Sequence, residues 1–127
     1  MKFSLGKEER LKSRKLIGEL YKEGKSIKAY PLRMVYIQKE HTSDYPVQVA
    51  VSVPKRNFKK AVDRNRIKRL MRESYRNQKA IINTAVEKPY VFMISYLAKE
   101  ELPYDKLYSK MEILLNKFIN EIDAYEK

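Results

Sequence analysis

Apolar positions along the chain change their period several times. Leu16, Ile17, Leu20 and Tyr21 recur at i, i+1, i+4 and i+5, the stripe of an amphipathic helix over about residues 13–23. Ser13 suits its N-cap, and Gly24 suits a stop just past its end. Tyr30 to Gln38 is rich in Val, Ile, Leu and Tyr and predicts a strand. Val47, Val49, Val51 and Val53 alternate with Gln48, Ala50 and Ser52, a period of two that Pro54 ends. A basic linker, Lys55 to Lys60, leads into a helical pattern from about Ala61 to Lys79, and residues 80–89 are transitional. Tyr90 to Tyr96 is almost wholly apolar and predicts a buried strand. After Pro103, the residues Leu107, Met111, Leu114, Leu115, Phe118 and Ile122 recur every three or four positions and predict a long amphipathic helix.

Helix, two or three strands, helix, strand, helix is too mixed for an all-α or all-β domain. One small sheet covered by helices is the simplest way to bury every stripe, an α+β fold. The 127 residues fit one domain, with residues 1–12 expected as a flexible basic arm and 13–123 as the folded part.

Composition narrows the chemistry. The chain has no cysteine, which removes disulfides, thiolate zinc sites and a cysteine nucleophile. Its one histidine, His41, makes a histidine-dependent triad or multi-histidine metal cluster a poor reading, and its loop position suggests a solvated side chain. No apolar run approaches the length of a membrane span, and the start of the chain lacks a signal-peptide core, so a cytoplasmic protein with no membrane partner is expected. Lys and Arg number 28 against 16 Asp and Glu, a net charge of +12 that asks for a polyanion.

That charge is concentrated. Between Lys55 and Arg76 ten cations stand against only Asp63 and Glu73, leaving a net eight of the twelve. On a helix, Ile67, Leu70, Met71 and Ser74 share one arc. Arg64, Asn65, Arg66, Lys68, Arg69, Arg72 and Arg76 fill most of the remainder. Like charges at i, i+4 repel, so folding alone gives no reason for them. Arginine forks and the donor–acceptor Asn65 suit phosphates, ribose hydroxyls and irregular RNA loops.

The run from Ala61 to Glu73 resembles the signature helix of the bacterial ribonuclease P protein component. Its Arg-Asn-Arg (Arg64, Asn65, Arg66), the Lys-Arg pair (Lys68, Arg69) and Arg72 all match. So do the strand with Ser52, the pair Lys55-Arg56, and Arg10-Leu11-Lys12 before the first helix. The resemblance covers about residues 8–120. It implies an αβββαβα order, with a left-handed β-α-β crossover where general rules favour a right-handed one.

It further implies a protein subunit without a nucleophile of its own. The catalytic RNA and its bound Mg²⁺ carry the removal of the 5′ leader from precursor tRNA, and no protein partner is required. By the same resemblance Arg64, Asn65, Arg66, Lys68, Arg69 and Arg72 dock the RNA subunit, with Lys55, Arg56 and Lys60 extending that surface. A cleft between the first helix and the sheet holds the leader, with Ile17, Tyr21 and Tyr36 at the matching positions. The family favours two aromatics on the first helix, and Ile17 departs from that pattern. Asn57-Phe58-Lys59-Lys60 replaces a shorter Gly-Asn turn, with Phe58 expected as a core plug. The rival readings are a ribosome-associated RNA-binding protein without processing activity, a DNA-binding regulator and a protein-only nuclease.

Overall fold

The computed structural model describes residues 10–40 and 46–126; the first nine residues and His41 lie outside them. In chain order the elements are α1 (Arg14–Glu23), β1 (Lys25–Ala29), β2 (Leu32–Gln38), β3 (Val47–Ser52), α2 (Ala61–Arg76), α3 (Lys79–Ala85), β4 (Tyr90–Tyr96) and α4 (Tyr104–Glu126). They build one four-stranded sheet in the order β1-β2-β4-β3, parallel between β3 and β4 and antiparallel elsewhere.

The two sheet faces are covered differently. On one, Ile27, Met34, Tyr36, Val49, Phe92, Ile94 and Tyr96 pack against Ile67, Met71 and Tyr75 of α2, Ile82 of α3, and Leu107, Met111, Leu114 and Phe118 of α4. On the other, Val35, Val91 and Met93 pack beneath Leu20, with Leu16, Ile17, Ile37 and Ala50 around them. Since successive strand residues point to opposite faces, each of the central strands β2 and β4 feeds both layers.

Register fixes the hand of the crossover. Tyr90 donates its N–H to the carbonyl of Pro46, just before β3, while its ring meets Phe118 on the α4 side. For an L-residue this places β3 to the right of an upward β4, seen from the α2 side. The chain leaves β3, passes over that face through α2 and α3, and re-enters the sheet to its left. The crossover is therefore left-handed, against the usual preference.

Several expectations are refined. The strand expected over 30–38 is β2, shortened to begin at Leu32, and it is the second arm of a hairpin: Tyr30 and Pro31, joined by a cis peptide bond, turn β1 into β2. The helix expected to reach Lys79 ends at Arg76, and the transitional stretch holds α3. The last part of the arm is ordered. Leu11 is buried and donates its N–H to the Val49 carbonyl at 2.9 Å, so Arg10 and Leu11 run beside β3 as a short parallel bridge.

Ser13 caps α1, its Oγ accepting from the Leu16 N–H at 3.2 Å. Gly24 closes it, but not by a left-handed turn: its φ of −69° and ψ of 155° are extended. Glycine is needed for space. A Cβ there would collide with the Leu20 carbonyl oxygen and come within 2.6 Å of a Val35 methyl. Gly24→Ala should therefore lower stability by about 1–3 kcal/mol, read as a lower midpoint in urea unfolding.

Candidate nucleic-acid interface

Helix α2 begins without a side-chain cap, its N-cap residue being Lys60. Ile67, Met71, Ser74 and Tyr75 are buried, with Leu70 packed at their margin, so its inner stripe is close to the expected arc. The outer face holds a shallow groove of about 420 Å³ lined by Val62, Asn65, Arg66, Arg69 and Arg72.

The cations of this face are not equivalent. Arg66 is held by carboxylates: its Nε and Nη2 donate to Glu101 at 2.8 Å each, and Nη2 also donates to Asp63 at 2.9 Å. Its guanidinium is pushed to still higher proton affinity, and the Glu101 carboxyl is held below its ordinary range by the same bond. That bond is favoured at pH values above the ordinary carboxylate range and lost as pH falls through the lowered value of Glu101. Arg64 turns back, its Nη1 donating to the carbonyls of Phe58 at 2.8 Å and Lys59 at 2.9 Å. It thereby braces the turn that carries Lys55, Arg56 and Lys60, which are themselves exposed. Phe58 fits the expected plug, with its ring centroid 6.0 Å from that of Tyr96.

Arg69 and Arg72 form no ion pair with a carboxylate among the described residues. Arg72 is half-buried, and that burial, followed by the nearby charge of Arg10, lowers its proton affinity. Arg10 reaches this side by alternation: Leu11 points under α1, so Arg10 projects to the α2 side. A half-buried cation beside another cation is costly, and an anion between them offsets that cost.

The second surface lies under α1. Leu16 and Leu20 face the sheet, and Glu19 on one flank pairs with Lys39, just after β2, at 3.5 Å. At 100° per residue, Ile17 and Tyr21 occupy the other flank, overhanging the start of β2. Ile17 is half-buried, whereas Tyr21 is 60% exposed and free to stack.

Tyr36 does not join them. It is buried on the opposite sheet face, its hydroxyl donating to Glu121 at 2.7 Å and its ring edge-on to Phe118. The β2 residues beneath α1 are its two neighbours, Val35 and, packed at the margin, Ile37. A shift of one residue moves a strand side chain to the other face, so the expected aromatic of the cleft floor is a valine.

The family model described as Ribonuclease P matches residues 5–119. The chain belongs to the ribonuclease P protein family. A relative named ribonuclease P protein component, from Porphyromonas gingivalis, is 41% identical over 104 residues, covering 80% of this chain and 75% of its own. The RNase P protein of Thermotoga maritima shares the fold at a TM-score of 0.69 and 24% identity, covering 86% of this chain and 96% of its own. That of Staphylococcus aureus does so at 0.68 and 19%, covering 85% and 93%.

Family membership favours the ribonuclease P subunit, part of the tRNA-processing holoenzyme and partner of an RNA, over the ribosome-associated alternative. Within the family helix, Asn65, Arg66, Arg69 and Arg72 line one groove, while Lys68 sits half-buried on the flank and Arg64 is spent on the preceding turn. Sequence reading missed Arg10 and Val35 as parts of these surfaces. The alternation of Arg10 with Leu11 was a signal for the first. Nothing in the run Met34-Val35-Tyr36 distinguishes the faces, because all three are buried.

Proposed function

We propose that the chain grips the catalytic RNA of ribonuclease P through the outer face of α2 and holds the 5′ leader of precursor tRNA in the cleft under α1. The observation that carries this reading is the α2 groove, where Arg69 and Arg72 offer guanidinium groups that no carboxylate of the described chain neutralises. Two polyanions must approach each other in this reaction, and a net +12 lowers their repulsion. Only the substrate has a leader, so a cleft that binds it favours substrate over product.

Magnesium is assigned to the RNA. Among the described residues no group of three or more His, Asp or Glu could hold a metal ion. Among them no helix is long and apolar enough to cross a membrane, and the reading places the protein in the cytoplasm with the tRNA precursors.

Reconstitution with a ribonuclease P RNA at low magnesium tests the reading. Faster leader removal than by the RNA alone supports it, and no gain overturns it. The same titration ranks the arginines. Arg66→Ala should cost less RNA affinity than Arg69→Ala, because RNA must compete with Glu101 and Asp63 for Arg66. Equal losses would mean that those carboxylates release Arg66 without cost.

A further inference from the structure

The uncovered part of the sheet under α1 carries a feature that the apolar floor does not explain. Register places Lys28 opposite Arg33, Arg33 opposite Ser95, and Ser95 opposite Ser52. These four residues form one transverse row across all four strands. Their neighbours Ile27, Ala29, Leu32, Met34, Ile94 and Val53 belong to the core on the other face, so the row points to the α1 side. It lies outside the apolar cluster that Leu16 and Leu20 cover. Lys28 is exposed, and Arg33, Ser95 and Ser52 are half-buried.

Two cations directly opposite each other in a sheet are destabilising. Neither has a carboxylate partner among the described residues. Arg33 donates its Nε to Ser26 Oγ at 2.9 Å, which orients its fork while its two terminal nitrogens can still donate. The row spans about 14 Å at ordinary strand spacing, and beyond Ser52 the chain continues to Lys55 and Arg56. Above it hangs the flank with Ile17 and Tyr21, and beside it lies Val35.

We propose that the row Lys28–Arg33–Ser95–Ser52 is a track for the phosphates of the single-stranded 5′ leader, an inference that rests on the functional reading above. Lys28 and Arg33 take the phosphate charges, and the hydroxyls of Ser95 and Ser52 donate to backbone oxygens toward the Lys55–Arg56 turn. With Ile17 and Val35 in place of rings, base stacking is reduced to Tyr21. Leader affinity in this protein is therefore carried by backbone charge and is tolerant of base identity.

The test is binding of precursor tRNA by the reconstituted holoenzyme, with calcium replacing magnesium so that binding is read without cleavage. The substrates carry a short oligouridine leader, a short oligoadenosine leader or none. The double variant Lys28→Gln, Arg33→Gln should lose at least about tenfold in affinity for both leadered substrates and nothing for the leaderless one. Its salt slope should fall by about 1.4, at about 0.7 per single-strand phosphate contact. The swap Lys28→Arg, Arg33→Lys keeps both charges and should bind close to wild type, which separates lost charge from lost folding.

An unchanged leadered affinity in a folded double variant overturns the proposal. So does an equal loss for leaderless tRNA, or a strong dependence on leader base that vanishes with Tyr21→Ala. A wild-type holoenzyme that binds leadered and leaderless tRNA alike overturns the functional reading and this inference with it. A discriminating wild type with an indifferent double variant overturns the inference alone.

Discussion

Replacing Arg69 and Arg72 together by alanine should lower affinity for the RNA subunit by about 3–6 kcal/mol, at about 1.5–3 kcal/mol for each charge-assisted contact. Both line the α2 groove, and neither pairs with an acid of the described chain. Half-burial already disfavours the charge of Arg72, and Arg10 adds repulsion. A phosphate seated there relieves both, which is why this pair is expected to outweigh the carboxylate-bound Arg66. Filter binding across a salt series checks the claim. The logarithmic slope should fall by about 1.4–1.8 in the double variant, the range for two phosphate contacts. A variant with the wild-type slope and wild-type affinity would show that RNA docks elsewhere.

The largest stability effect is expected from Phe118→Ala. This ring is fully buried and lies edge-on to three others, with centroids 4.9 Å from Tyr36, 5.2 Å from Tyr90 and 4.7 Å from Phe92. It joins α4 to the two central strands at once. Truncating a buried phenylalanine to alanine costs about 3–5 kcal/mol, and each aromatic contact contributes about 0.5–1.5 kcal/mol beyond area burial. Against a whole-domain stability of about 5–15 kcal/mol, the variant should unfold at much lower denaturant. A loss under about 1 kcal/mol in urea unfolding would mean that the site collapses around the gap and that these contacts matter little.

Legibility of the fold followed the strength of each pattern. Helix α4 and strand β3 were plain because one face of each is apolar and the other is not. Strand β1 was hidden: only Ile27 and Ala29 of its five residues are buried, and the Tyr30–Pro31 turn carries no Asn-Gly or Asp-Gly signal. Helix α3 buries Ile82 alone, too little for a period to show. The basic face of α2 was readable from helical geometry, but its division of labour was not. That Arg66 meets Glu101 and Arg64 meets the Phe58 carbonyl depends on segments brought together only by folding. Tyr36 was misplaced by one register step. A central strand covered on both sides has no polar face to mark which way a ring points.

The N–H of Leu11 bonded to Val49 has a mechanical consequence. It ties the lead-in to α1 onto β3, the same strand that runs on into the basic turn and α2. The wall of the proposed leader cleft and the arginine groove thus hang from one beam. On the proposed reading, RNA on one surface and leader on the other would be spaced by this shared strand, as work is spaced by the jaws of a caliper.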